Sequence, residues 1–260
     1  MPAWVSVILR LPSLLRLVQL EKKCLAALLV SHKVEVVISD NRYGMFSPQI
    51  HSVFVTHQLQ IRTPFFKRVA NYMNRHYISC FNEVWVPDFQ ETKKRLSGEL
   101  SEPEKKPNTP VKYIGPLSAL DDSLQVLPEF CDCLFLLSGP EPQRTLLETE
   151  LLKIFNNTAR KCTLVRGKEG VPDHAVSNNI RVIGLADGTL LKSLILGAEL
   201  IVCRSGYSTL MDLHQLRKQN MVLIPTPGQT EQEYLARYWA RRFGAEMCEQ
   251  HCISDFFRTR

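Results

Sequence analysis

No stretch of the chain stays apolar for the roughly 18 to 20 residues that a bilayer-crossing helix needs. The longest candidates, residues 5–20 and 25–30, are broken by Arg10, Pro12, Arg16, Glu21, Lys22 and Lys23. The amino terminus lacks a charged leader and a small-residue cleavage site, so it reads as an amphipathic helix and not as a signal peptide. There is no Lys/Arg run and no basic stripe interleaved with aromatics, which removes the case for nucleic acid. Neither close cysteine pair, Cys131 with Cys133 or Cys248 with Cys252, has a zinc or redox spacing. No Asp-x-Asp metal motif occurs either: Asp121 and Asp122 are adjacent, and Asp132 stands between two cysteines.

What is present is ordinary for a globular protein. Of 260 residues, 45% are hydrophobic and 22% charged, which excludes a disordered tail, a collagen-like rod and a disulfide miniprotein. Lys and Arg number 32 against 26 acids, a net +6 that favours anionic partners such as phosphates or acidic lipid. The eight cysteines are scattered, and Cys24, Cys162 and Cys203 lie in apolar stretches. That pattern reads as buried free thiols of a reducing, cytoplasmic compartment.

Two kinds of segment alternate along the chain. Residues 14–31 repeat apolar side chains at helical spacing, and residues 34–40 are a short β-branched run that suits a buried parallel strand. Residues 52–56 and 83–87 repeat that run, with a helix over 65–77 between them. Residues 97–110 are polar and rich in proline, and 111–116 form a brief strand ending at Gly115-Pro116. The boundary is expected here, with one domain over 1–118 and a second over 119–260. In the second half, strands are expected at 133–137, 162–165, 180–183, 200–203 and 221–224. Helices are expected to about 156 and at 189–195, 208–218 and 231–243. The fold class is therefore α/β, with a Rossmann-like parallel sheet in the second half.

Ligands of such sheets bind where strands end and helices begin. Three segments stand there. Ser138-Gly139 follows a strand and precedes a helix, so its amides suit a phosphate, with Arg144 adding charge. Arg204-Ser205-Gly206 opens the next helix; Gly206 admits a ligand close to the backbone, while Ser205, Ser208 and Thr209 offer hydroxyls. Asp212, one turn further on, suits ribose hydroxyls, or simply complements the helix dipole. After Pro225, a helix opens with Thr230, Glu231, Gln232 and Glu233. These side chains suit sugar hydroxyls, or a capping box running from Thr230 to Glu233.

Arg204-Ser-Gly-x-x-Thr209-x-x-Asp212, then Pro225, then Gln232-Glu233, resembles the donor-binding lobe of the MurG-type family 28 glycosyltransferases over residues 130–250. The resemblance implies a GT-B fold, with two Rossmann-like lobes around a cleft and a UDP-sugar held mainly by the second. Ser138, Gly139, Arg144, Ser205 and Gly206 would then face the diphosphate and Asp212 the ribose. Gln232 and Glu233 would hold the donor sugar, Ile183 to Leu185 would contact the uracil, and Arg166 would add charge nearby. Glu233 stands where the family has Gln. In the first half, Thr56-His57-Gln58 stands where a His-Glu-Gln turn is expected.

The front departs further from the pattern: the family's opening strand and Gly-rich, His-ended loop have no match. Against a pair of full lobes, roughly 60 to 100 residues are expected to be absent. Asp40 and His57 end the first two strands and are the acid/base candidates.

The implied activity is inverting, metal-independent transfer of a hexose or N-acetylhexosamine from a UDP-sugar to a carbohydrate or lipid-linked acceptor, with no other cofactor. A nucleotide-sugar-binding remnant without catalysis and a UDP-sugar 2-epimerase are the competing readings. Residues 5–20, with Trp4, Arg10 and Arg16, would either touch an anionic membrane face peripherally or pack on the first sheet.

Overall fold

The computed structural model describes residues 3–63, 65–120, 125–156, 158–170 and 173–258, with the side chains of the first helix described from Pro12 on. The chain forms two compact units, 1–116 and 117–260, so the division falls just ahead of the boundary expected after residue 118.

The first unit opens with α1 (Ala3–Ser31), one helix that continues across Pro12 and joins the amphipathic helix expected at the amino terminus to the one expected over 14–31. Strands β1 (Val36–Asp40), β2 (His51–Val55), β3 (Glu83–Val86) and β4 (Val111–Tyr113) form a wholly parallel sheet in that order. Between β2 and β3 runs α2 (Lys67–Ile78). Phe54, Leu59, Ile78, Phe81, Val84 and Val86 make the core, with Tyr43 and Phe46 packed against it. Two asparagines of α2 fix the loop after β2. Asn71 exchanges hydrogen bonds with the main chain of Ile61, and Asn74 donates to the carbonyls of Gln58 and Leu59 while accepting from the Tyr43 hydroxyl. Gly44 is glycine because α1 comes so close: a Cβ there would stand 2.3 Å from the Val18 carbonyl oxygen.

The second unit contains β5 (Cys131–Leu136), α3 (Gln143–Phe155), β6 (Cys162–Val165), β7 (His174–Ser177), β8 (Ile180–Ile183) and α4 (Gly188–Gly197). It continues with β9 (Ala198–Cys203), α5 (Tyr207–Gln215), β10 (Met221–Leu223), α6 (Thr230–Phe243), β11 (Glu246–Met247) and α7 (Ile253–Arg258). The sheet order is β11-β10-β9-β5-β6-β8-β7, parallel except for β7 on β8. Seven strands replace the expected five. The added β7 and β11 are a largely exposed edge strand and a two-residue strand, too polar or too short to show a hydrophobic pattern. Leu134, Phe135, Ile201 and Val202 are all but inaccessible, as strands covered on both faces require.

From β5 the chain winds outward through β6 and β8, then returns to the other side of β5 with β9. The topological switch point therefore lies between β5 and β9. Among the described residues no helix is long and apolar enough to cross a membrane. Cys131, Cys133, Cys162, Cys203 and Cys248 are buried free thiols, whereas Cys24 is exposed on α1, contrary to expectation.

Candidate functional site

The strands of the second sheet end in register. Leu136 pairs with Cys203 on one side and Val165 on the other; Cys203 pairs with Leu223 and Val165 with Ile183. The loops after five parallel strands consequently emerge along one edge, and those after β5 and β9 flank the switch point.

At that point α5 begins. Gly206 is its N-cap, with extended backbone and no side-chain cap, and the space where a Cβ would stand is open. The amides of Tyr207, Ser208 and Thr209 lie ahead of Leu210, whose amide makes the first intrahelical bond, to the Gly206 carbonyl at 3.0 Å, and they stand at the positive end of the helix dipole. Thr209 is half-buried and Ser208 exposed. Opposite, Ser138 and Gly139 form an exposed turn, and Gly139 has φ +99°, a conformation that excludes most side chains.

The charges at this edge are already partnered. Arg144 is buried in the first turn of α3, where Glu141 and Glu148 hold its guanidinium. Arg166 donates to the same Glu148, at 2.7 Å through Nε. Arg144, expected to face a diphosphate, and Arg166, expected to add charge nearby, are bridged by Glu148, and two carboxylates balance two guanidiniums.

Other expected ligands face inward. Ser205 is fully buried and its hydroxyl donates to the Gln232 carbonyl at 2.7 Å, so it braces the start of α6. Gln232 turns its Oε1 back to accept from the Thr226 amide at 2.9 Å. Glu233 accepts from the Gly228 amide at 3.2 Å while remaining partly exposed. The α6 N-cap is Gln229 and not Thr230, with no side-chain cap; Glu233 ties the Pro-Gly loop in place of the expected box. Ile183 is fully buried in the core and cannot reach a base, whereas Leu185, two residues on, is exposed.

Asp212 does not stand free for a ribose. Its Oδ1 accepts from the Ser118 hydroxyl at 2.6 Å, and the Ala119 amide also donates to it. Burial raises its carboxyl above the usual range, and these two bonds oppose the rise.

The residue that organises the edge is Arg204, which the sequence shows only as part of a motif. Arg204 is 1% exposed and donates to the carbonyls of Ile224 (3.1 Å), Pro225 (3.2 Å) and Gln143 (2.8 Å) and to Gln250 Oε1 (2.8 Å). It thereby ties the loop after β10 and the start of α3 to the loop after β9. Burial brings its pKa down to about 10, so it remains charged at neutral pH. An arginine directly after an apolar strand was the available signal. Glu148 had none, because a mid-helix glutamate reads as solvated.

In the first unit, Asp40 ends β1 exposed. His57 lies half-buried just past β2, beside Gln58, in the loop that Asn74 fixes. Asp121 and Asp122 lie outside the described residues, as do the side chains of Trp4 and Arg10. Among the described residues no group of three or more His, Cys, Asp or Glu is placed to hold a metal ion.

The model of the Glycosyltransferase family 28 C-terminal domain matches residues 168–256. Over this segment the chain is similar to that domain. The match spans β7 to α7 and includes Gly206, Asp212, Thr226 and Gln232, so the resemblance carried by those loops is borne out. No curated protein matches the chain.

Solved structures similar to it include glycosyltransferases, which bears out the α/β, GT-B-like fold class. The glycotransferase of kitacinnamycin aligns with TM-score 0.63 at 11% identity, covering 100% of this chain and 74% of that one. Spinosyn rhamnosyltransferase SpnG, complexed with thymidine diphosphate, aligns with TM-score 0.56 at 12% identity over 95% of this chain and 71% of its own. The glycosyltransferase SnogD of Streptomyces nogalater gives 0.55 at 12% identity, over 90% and 67%. At such identities the likeness concerns the fold.

Proposed function

We propose that the protein transfers a hexose or N-acetylhexosamine from a UDP-sugar to an acceptor hydroxyl, with inversion and without a metal ion. The observation that carries this reading is the uncapped start of α5 at the switch point, open at Gly206 and facing the Ser138-Gly139 turn along one sheet edge. Main-chain amides there would hold the diphosphate. With Arg144 and Arg166 neutralised by Glu141 and Glu148, the helix start and not a free guanidinium would carry the developing charge. The family 28 match and the thymidine diphosphate complex of one structural relative support a nucleotide-sugar donor.

In the proposed step the acceptor oxygen attacks the anomeric carbon, its proton passes to a general base, and the bond from that carbon to the UDP oxygen breaks with both electrons leaving on UDP. Asp40 and His57 are our candidates for the base. Gln232 and Glu233 would orient the donor sugar from the start of α6, and Leu185 would pack on the base. The acceptor is a carbohydrate or a lipid-linked sugar.

The balanced charge at this edge favours one other reading, a site that binds nucleotide sugar without transferring it. Calorimetry of UDP with EDTA present tests the proposal. Binding at micromolar to sub-millimolar UDP is expected, and no heat at millimolar UDP overturns it. Binding without transfer to any of a panel of lipid-linked and free sugars favours the second reading.

A further inference from the structure

Helix α2 turns its polar contacts inward and its apolar side chains outward. The side chains it buries are Asn71, Asn74 and Ile78, and both asparagines are spent on the loop after β2. On the outer side Phe65, just ahead of the helix, is 43% exposed, Val69 54% and Tyr72 66%. With exposed His76 these positions follow one another at steps of three and four, so they line a single face. Phe66, half exposed at the N-cap, extends that face.

Phe66 is a poor choice for the fold. Its backbone is left-handed, with φ +57°, a conformation that suits glycine or asparagine and strains a bulky residue. It gives the helix no side-chain cap. A ring kept exposed at a strained position points to a contact outside the fold.

The charges around this face lean one way. Helix α2 holds Lys67, Arg68, Arg75 and His76 and no acid. Glu99 pairs with Arg62, and Glu104 with Lys67. Among the described residues Arg68 has no ion pair, and Arg75 feels Glu104 only as a more distant charge. Lys105 and Lys106 follow Glu104 in an exposed loop. Aromatic rings set level with arginines suit a lipid interface, where the rings sink among headgroups and the cations meet anionic lipid. An inserted peptide would need a groove, whereas a helix face is convex.

We propose that this face of α2, formed by Phe65, Phe66, Val69 and Tyr72 with Arg68 and Arg75, docks on a bilayer that carries anionic lipid. The proposal concerns the first unit alone, uses a surface other than residues 5–20, and does not depend on the nucleotide-sugar reading.

The test is flotation with vesicles of phosphatidylcholine, pure or mixed equally with phosphatidylglycerol, alongside thermal melting and sedimentation velocity. The wild type is expected to float with the mixed vesicles, to bind pure phosphatidylcholine far more weakly, and to be released by salt. Phe66→Asn relieves the strained backbone, so it should melt no lower than the wild type yet bind mixed vesicles about tenfold more weakly. Tyr72→Ser, at the most exposed of these positions, should weaken binding with unchanged melting, and decides the matter should Phe66→Asn melt lower. Arg68→Gln combined with Arg75→Gln should weaken binding about tenfold or more and flatten its salt dependence. Wild-type protein that ignores the mixed vesicles, or variants that bind them as tightly as the wild type, overturn the proposal. Equal binding to both kinds of vesicle overturns it too. A wild type that is dimeric while Phe66→Asn is monomeric assigns the face to a second copy of the chain, which likewise overturns it.

Discussion

Replacing Arg204 by methionine keeps most of the side-chain volume and removes the guanidinium. Four hydrogen bonds go with it, three of them to the main-chain carbonyls of Ile224, Pro225 and Gln143. Stranding a buried acceptor costs about 1–3 kcal/mol, and a hydrogen bond from a charged donor contributes about 1.5–3 kcal/mol. Against this, the variant no longer pays the desolvation that lowers the Arg204 pKa to about 10. We therefore expect a net loss of about 3 kcal/mol. Urea unfolding followed by Trp239, in a background with Trp4 and Trp85 changed to Phe, reports the second unit, because Trp239 is buried there. Arg204→Lys should recover little, since one ammonium cannot span acceptors on three loops. A loss below about 1 kcal/mol for Arg204→Met would show that water satisfies these carbonyls equally well, and the organising role would fail.

In the first unit, Gly44→Ala places a methyl 2.3 Å from the Val18 carbonyl and should cost about 1–3 kcal/mol in thermal melting. Asp212→Asn keeps an acceptor for Ser118 and removes a half-buried charge. Because the folded carboxyl titrates above its unfolded value, ionisation costs stability above that raised pKa, and the cost disappears as pH falls through it. The variant should thus be the more stable at neutral pH, with the gap closing as pH approaches about 4. A thiol reagent at mild alkaline pH should titrate Cys24, Cys80 and Cys252 in the native protein and all eight thiols after denaturation.

Much of the architecture was legible because parallel strands covered on both faces must be continuous apolar runs. The residues that became β2, β5, β6, β8 and β9 could be placed to within about two positions. What failed were elements without such a face: β7, exposed along most of its length, and β11, a pair of residues added at the sheet edge. The loops bearing the site were also legible, since Ser-Gly and Pro-Gly turns after strands mark helix starts. The directions of their side chains were not. Ser205, Gln232 and Arg144 are residue types that serve a ligand or a neighbouring loop equally well, and here each is spent on a neighbour. Thr226 shows the converse, an unremarkable threonine whose only distinction is a hydroxyl with nothing to bind.

In the proposed donor site, amides at the start of α5 receive a diphosphate. Amide-resolved NMR during a UDP titration addresses that directly. The largest shifts are predicted at Tyr207, Ser208 and Thr209, with smaller ones at Ser138 and Gly139. Shifts confined to other parts of the chain, or none at millimolar UDP, would contradict it.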